Sequence, residues 1–470
     1  MKRRDFIKGG SLAALGGLLL NPFGLKANSI KEEFRGRKAK NIIFMVSDGM
    51  SSGTLVMADI YSKRKLGRAS HWFSLYESNL VNRGLMDMAS ANSIVTDSAA
   101  ASSSWGGGVR VNNGSLNVSP DGKENMPILQ KFKKAGKKVG CVTTVPITHA
   151  TPAGFSVCSQ KRSSMENIAE MYSTLGFDVM MGGGNKYFDA NQRKDKNDMY
   201  SVFKKRGYTI VRNKAEMLSA PKNKPILGTF DEEGLPYSKD MEINKELKDK
   251  IPTLAEMTAK AIDQMKDHPK GFVMQVEGGK VDWAAHANDI TALLYDQLAF
   301  DDAVKVAIDF AKKDGNTLVV LTSDHGNANP GLIYGKGVND DFDRIQNFTQ
   351  TNEWILQNIN PTDSPARVQE LIAQANGGIK ITDDQAKELL SYYTSTKKED
   401  GLYNYKKLPY KLLADIQKSY TSVGWISMDH SSDYTELAMY GPGSEKMKPF
   451  MKNTDIHTFL LDAAEIENHF

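Results

Sequence analysis

The sequence predicts an α/β protein: a three-layer α/β/α sandwich around a mostly parallel central sheet, carrying a helical, crown-like cap insertion. Three observations lead there. Short apolar runs end abruptly in polar residues, helical periodicities lie between the runs, and acids and histidines gather where the runs end. The runs are NIIFMVSDGM (41–50), KVGCVTTVPITHATP (138–152), GFVMQVEGGKVD (271–282) and NTLVVLTSDHG (316–326). Each is continuous rather than alternating, the pattern of a strand covered by helices on both faces. TLAEMTAKAIDQMKD (253–267) and ITALLYDQLAFDDAVKVAIDFAKKDG (290–315) repeat apolar residues every three or four positions, as amphipathic helices do. Strands alternating with helices imply parallel pairing, which places ligands beyond the carboxyl ends of the strands.

Two regions break this rhythm. Residues 186–250 are polar and rich in turn formers. Residues 328–427 hold helical pieces, SPARVQELIAQAN and DDQAKELLSYY, among many charges, and read as an insertion between two halves of one sheet. The remainder reads as a single domain over 28–470, preceded by a leader over 1–27. That leader has a basic start (Lys2, Arg3, Arg4), an apolar run from Ser11 to Leu20 too short to span a bilayer, and a small residue near Ala27. These are the parts of a signal peptide. Arg3-Arg4 followed by Asp5-Phe6-Ile7-Lys8 resembles a twin-arginine signal, so the expectation is export of the folded protein to the periplasm or beyond.

The net charge of +4 resides entirely in that leader, and the neutral remainder offers no basic surface for nucleic acid. No later stretch reaches the roughly 18 apolar residues of a membrane-spanning helix. Two cysteines, Cys141 and Cys158, exclude a disulfide framework and a cysteine-type zinc ribbon. The sequence leaves open whether they pair, with unpaired, buried thiols as the expectation.

The segment VTDSAAASSSWGGG (95–108) reads as a strand end, Val95-Thr96, turning into a helix. Ser98 would then sit where backbone N–H groups point outward and the helix dipole favours an anion. Taken alone, the segment favours the simpler reading, Asp97 or Ser98 serving as a helix cap. Elsewhere, Asp282 and His286 are four apart and project from one helix face, with Glu277 just before them. Asp324 and His325 converge only if the chain turns after its strand, a turn that Gly326 makes cheap. Asp48 has the same setting, again followed by glycine, and His430 comes after the insertion. Carboxylates with imidazoles suit zinc, and carboxylates with a hydroxyl suit magnesium; this donor set is enough for two or three ions. Gly182-Gly183-Gly184 lacks the Lys-Ser/Thr of a P-loop and reads as a strand-end turn. His71, His268, His457 and His469 have no partner pattern, and Trp105 reads as packing.

Taken in order, TDSAA (96–100), HATPAG (149–154) followed by QKR (160–162), VEGGKVDWAAH (276–286), TSDHG (322–326) and a late histidine before MYGPGSE (439–445) resemble the alkaline phosphatases. The likeness covers roughly residues 40–330 and 425–470, so that 28–470 would be one catalytic domain of that kind. It implies hydrolysis of small phosphate monoesters through a phosphoserine on Ser98, in a homodimer. One zinc would be held by Asp282, His286 and His430, a second by Asp48, Asp324 and His325. A third metal, usually magnesium, would use Asp48, Thr151 and Glu277. Arg162 matches the arginine that grips the phosphate, and Asp97 the acid that orients it.

Two positions depart from the best-known bacterial pattern. His149 stands where an acid often lies near the third metal, and Trp283 where a lysine often contacts phosphate through water. His149 either ligates directly, which would favour zinc or cobalt over magnesium, or lies behind the ligands. Relatives with the same metal core include phosphodiesterases, phosphonate hydrolases and phosphoglycerate mutases. Arg162 favours a dianionic monoester among these, and the Cys/Ser-x-Pro-x-Arg motif of sulfatases is absent around Ser98. A non-catalytic phosphate- or metal-binding protein is the reading from another class, although no ligand is missing.

Overall fold

The computed structural model describes residues 34–394 and 407–468, so the leader over 1–27 and His469 lie outside the described residues. Fourteen strands are described. In chain order they are β1 (Asn41–Ser47), β2 (Asn82–Asp87), β3 (Lys138–Pro146), β4 (Val179–Gly183), β5 (Thr209–Val211), β6 (Ile226–Thr229) and β7 (Phe272–Gly278). There follow β8 (Thr317–Thr322), β9 (Gly326–Asn327), β10 (Gly331–Leu332), β11 (Val423–Gly424), β12 (His430–Ser431), β13 (Thr435–Tyr440) and β14 (Phe450–Lys452). Ten of them form one sheet in the order β14-β2-β13-β8-β1-β7-β3-β4-β6-β5. Only β13 runs against its neighbours; the other pairings are parallel.

Each long strand serves two cores, which is why its sequence is apolar at every position. Along β1, Ile43 and Met45 pack into one cluster while Ile42, Phe44 and Val46 pack into the other. In β8, Val319 and Leu321 divide from Leu318 and Val320 in the same way. Helices cover both faces: Leu254–Met265 and Ile290–Asp314 lie over the first cluster, Ser98–Gly106 and Ala150–Ser156 over the second. The three predicted layers are therefore present.

The turn-rich reading of 186–250 needs correction. This region holds β5 and β6, which extend the sheet, and four short helices. The strands are only three and four residues long, too short for a period to show among polar neighbours. The 328–427 segment is helical, with Val338–Arg344, Asn352–Asn358, Pro365–Ala375, Asp383–Ser391 and Tyr410–Thr421. It has its own apolar cluster around Ile355, Leu371 and Leu413. Two short pairs outside the large sheet, β10 with β11 and β12 with β9, join the entering and leaving ends of the segment to each other. Among the described residues, no helix is long and apolar enough to cross a membrane. Both cysteines are free; Cys141 is buried and Cys158 half-buried.

Candidate active site

The carboxyl ends of β1, β3, β7 and β8 meet at one place. Asp48 follows β1, His149 and Thr151 follow β3, Glu277 is in β7, and Asp324 and His325 follow β8. Asp282 and His286 come from the short helix Lys280–His286 directly after β7, and His430 arrives on β12, opposite Asn327 in β9. The chain packs closely here. A Cβ on Gly49, whose φ is +67°, would lie 2.5 Å from Asp282 Oδ1. Gly326 has a different reason from the one the sequence suggested. Its φ is not positive, and a Cβ there would lie 2.3 Å from Asp433 Oδ2, so it provides space for the returning β12 segment rather than freedom to turn.

Three overlapping groups of donor atoms result, each within 4.8 Å: Asp282, His286 and His430; Asp48, Asp282 and His325; Asp48, His149 and Glu277. The first is the predicted set. In the second, His325 Nε2 lies 3.5 Å from Asp48 Oδ1 and 3.2 Å from Asp324 Oδ2, so Asp324 adjoins as predicted. Asp282 additionally reaches across, which linear order could not show. In the third, Thr151 Oγ1 donates to Asp48 Oδ2 at 3.4 Å and His149 stands beside the acids.

The hydrogen bonds show how these donors are aimed. His286 Nδ1 faces the Met428 carbonyl at 2.6 Å and His430 Nδ1 faces the Thr96 carbonyl at 3.0 Å. A carbonyl only accepts, so both rings carry hydrogen on Nδ1 and present an Nε2 lone pair inward. Those two Nε2 atoms are 3.1 Å apart, with Asp282 Oδ2 3.5 Å from the first. Such an arrangement of acceptors is repulsive without a cation between them. The carboxylates follow the same plan, with one oxygen held by the protein and one left open. Asp324 Oδ1 accepts from the N–H groups of Gly49 and His325, both at 3.0 Å, and Thr143 Oγ1 donates to Glu277 Oε2. Among the described residues, Asp48 Oδ1, Asp324 Oδ2, Glu277 Oε1 and His149 Nδ1 are buried without a hydrogen-bond partner. The donor set therefore fits divalent cations.

Electrostatics agree. Burial, with the neighbouring carboxylates, pushes Asp48 well above the ordinary carboxylate range; burial likewise lifts Glu277 to about 7 and Asp324 to about 6. Burial also acts against Asp282, but the neighbouring His286, His430 and His325 imidazoles and the Asn327 amide outweigh it and hold its carboxyl low.

Ser98 is the first residue of the Ser98–Gly106 helix, and its Oγ lies 3.3 Å from His325 Nε2. The preceding Val95-Thr96 is no strand, contrary to the sequence reading. The carbonyls there go to side chains instead of a strand ladder: Val95 O accepts from Asn113 Nδ2 at 3.0 Å and Thr96 O faces His430 Nδ1 at 3.0 Å, while Asp97 N–H donates to Asn113 Oδ1 at 3.2 Å. The cap reading holds for Asp97, which has a second contact as well. Asp97 Oδ1 caps the helix at Ala100 N (2.9 Å), while Oδ2 accepts from Arg162 Nη1 (2.9 Å) and from Gly114 N (3.0 Å). Burial raises the Asp97 carboxyl, but the Arg162 charge and these hydrogen bonds outweigh it and hold it below its ordinary value. Arg162 Nη2 is 3.2 Å from His149 Nε2. A cavity of about 360 Å³ lined by Ser98, His149, Arg162, Asp282, Trp283 and His430 brings a hydroxyl, a guanidinium and the donor groups to one space.

The whole-chain comparisons agree with this geometry. The family model described as alkaline phosphatase matches residues 39–466. The chain belongs to the alkaline phosphatase family. It is 31% identical to alkaline phosphatase 4 of Bacillus subtilis over 92% of this chain and 89% of that one. Against alkaline phosphatase 3 of the same organism the identity is 32%, over 93% and 92%. The crystal structure of Thermus thermophilus alkaline phosphatase superposes with a TM-score of 0.84 at 30% identity, covering 92% of each chain.

Within this alkaline phosphatase family member, His149 and Trp283 sit together, ring centroids 6.2 Å apart and nearly perpendicular. Lys186, Tyr187 and Glu233 also line the cavity, and no motif marks them in the sequence. Only the glycine turn before Lys186 was legible: Gly184 has φ +92° and directly follows β4. Asn327, whose Nδ2 donates to Asp282 Oδ1 at 2.7 Å, was likewise silent in the sequence. Trp105 packs fully buried against Phe44 and Phe155, and His457 is buried with its Nδ1 on the Trp105 carbonyl.

Proposed function

We propose that this protein hydrolyses phosphate monoesters through a phosphoserine on Ser98, using two zinc ions and a third divalent ion. Magnesium is the ordinary occupant of the third position, and zinc or cobalt becomes favoured if His149 ligates. The observation that carries the reading is Ser98 Oγ at a helix N-terminus, 3.3 Å from His325 Nε2 and facing one cavity with Arg162. Bound divalent cations would supply Lewis acidity, making the serine oxygen nucleophilic and neutralising charge on the phosphoryl oxygens. The chain's own groups do the rest. Asp97 fixes Arg162 so that its planar fork meets two phosphoryl oxygens, and the helix N–H groups around Ser98 add fixed dipoles where negative charge develops. The dianion of a monoester matches this cationic fork better than the monoanion of a diester.

The test is turnover of an aryl phosphate monoester against its methyl diester, on protein loaded with zinc and magnesium. A large monoester preference, abolished by chelation and by Ser98→Ala, is the outcome expected. A diester preference would move the activity to a phosphodiesterase, and no turnover of either would leave a phosphate- or metal-binding protein. For location, the Arg3-Arg4 leader supports export of the folded protein to the periplasm or outside; replacing both arginines by lysine should hold it in the cytoplasm. A homodimer is the corresponding reading for assembly, checked by sedimentation.

A further inference from the structure

A groove of about 900 Å³ opens beside the phosphoryl cavity. Trp283 and Glu233 line both spaces, so they form the shared wall. Glu353 and Trp354, on the Asn352–Asn358 helix of the 328–427 insertion, line the groove from another part of the chain. Two buried residues, Tyr237 and Lys280, line it as well.

Lys280 is unexplained by the chemistry so far. It begins the helix that carries Asp282 and His286, and its backbone N–H donates to Thr144 Oγ1 at 3.0 Å. The residue is 4% exposed. Its Nζ lies 3.6 Å from the centroid of the Tyr237 ring and 4.7 Å from that of Trp283. Among the described residues the ammonium makes no hydrogen bond and no ion pair. Aromatic faces offset part of its desolvation, and Asp231, Asp240 and Asp296 act on it from a distance, yet none of them supplies a contacting acceptor. An ammonium has three donors, and a buried donor left open beside a cavity calls for an acceptor that arrives with the ligand.

The rest of the groove narrows what that acceptor is. Glu353 and the nearby Asp240 would repel a second phosphate or a carboxylate. A leaving group bearing an amine would suit these acids but be repelled by Lys280. An alkyl or aryl group would leave both signs unsatisfied. Hydroxyl groups donate and accept, so several on one carbon frame satisfy the lysine and the acids together, and the Trp354 ring offers a surface for its C–H face. We infer that the groove is a leaving-group subsite for phosphate monoesters of sugars or polyols. Lys280 donates to one leaving-group oxygen there and Glu353 accepts from another. This rests on the phosphomonoesterase reading above.

The test compares kcat and KM for glucose 6-phosphate, phosphoethanolamine and methyl phosphate in the wild type, Lys280→Met and Glu353→Gln. The wild type should favour glucose 6-phosphate. Each variant should lower the ratio of kcat/KM for glucose 6-phosphate over methyl phosphate about tenfold, the loss of one hydrogen bond to a charged group, and mainly through KM. A merely structural lysine would lower both substrates alike and leave the ratio unchanged, which overturns the groove. Glu353→Gln reads the same ratio should the buried lysine variant fail to fold. A wild-type preference for phosphoethanolamine also overturns the proposal. Failure to turn over any of the three esters overturns the phosphomonoesterase reading and this inference with it.

Discussion

Replacing His149 by aspartate converts the third donor group from two carboxylates and an imidazole into three carboxylates. Burial, and next the Arg162 charge, hold the His149 imidazole down to about 3, so the wild-type ring is neutral at working pH. The donor atoms of Asp48, Glu277 and His149 lie within 4.8 Å of one another. At that separation and an effective dielectric near 20, each new carboxylate pair repels by roughly 3 kcal/mol. Arg162, whose Nη2 is 3.2 Å from His149 Nε2, attracts the new charge by a similar amount. Two repulsions against one attraction leave the metal-free variant destabilised by ~3 kcal/mol. For a chain of this length that lowers Tm by roughly 3–6 °C. Magnesium prefers an all-oxygen site, so millimolar magnesium should restore the loss in the variant while changing the wild type far less. The assay is calorimetry of chelated protein at pH 8, with and without magnesium, repeated with zinc. Equal responses to magnesium in both proteins would refute the placement of His149 at this site.

Three further outcomes follow from distances already given. Asp97→Asn keeps an oxygen for the Ala100 cap but turns an amide toward Arg162, losing a charge-assisted bond of about 1.5–3 kcal/mol; the inhibition constant for inorganic phosphate should rise about 10- to 100-fold with little change in Tm. Gly49→Ala forces a Cβ onto Asp282 in a left-handed conformation, so zinc affinity measured by chelator competition should fall about 10- to 100-fold, and unchanged affinity would contradict the packing. Burial raises Asp296 to about 7, a shift whose stabilising effect is full below the ordinary value of 3.8 and is lost as pH rises through about 7. Asp296→Asn still bonds Ser238 through its oxygen and its amide, so the variant should gain on the wild type across that window, by up to ~4 kcal/mol at pH 8; a gain equal at pH 4 and pH 8 in urea unfolding would exclude titration as its cause.

The centre of the fold was legible because burial on both faces writes a continuous apolar run. β1, β3, β7 and β8 all carry that mark, and the donor residues follow them directly. The sheet's far edge was not legible: TIV and ILGT, the whole of β5 and β6, are too short to display a period. Val95-Thr96 shows the opposite failure, a local β preference whose carbonyls go to side chains instead of a strand ladder. At the site, residue types announced themselves, but distances between remote segments did not. Asp282 serving two donor groups depends on how β1 and β7 are registered, with Val46 opposite Glu277. Lys280 reads in sequence as an ordinary charged residue in a glycine-rich turn, and it gains meaning only when the insertion brings Glu353 and Trp354 to the same groove.

The division of each carboxylate into a held oxygen and an open one bears on how metal and fold are coupled. Where ligands are disordered without their ion, metal binding energy is folding energy. Here Gly49 N–H, His325 N–H, Thr143, Thr151 and Asn327 already hold one oxygen of Asp324, Glu277, Asp48 and Asp282. The Nδ1 hydrogens of His286 and His430 are fixed on carbonyls of Met428 and Thr96 in the same way. These constraints belong to strand ends inside two large apolar clusters, which supply the stability that the gathered charges remove. Divalent cations bound there would meet donors that the fold itself orients, and their contribution to stability would grow with the logarithm of concentration over dissociation constant.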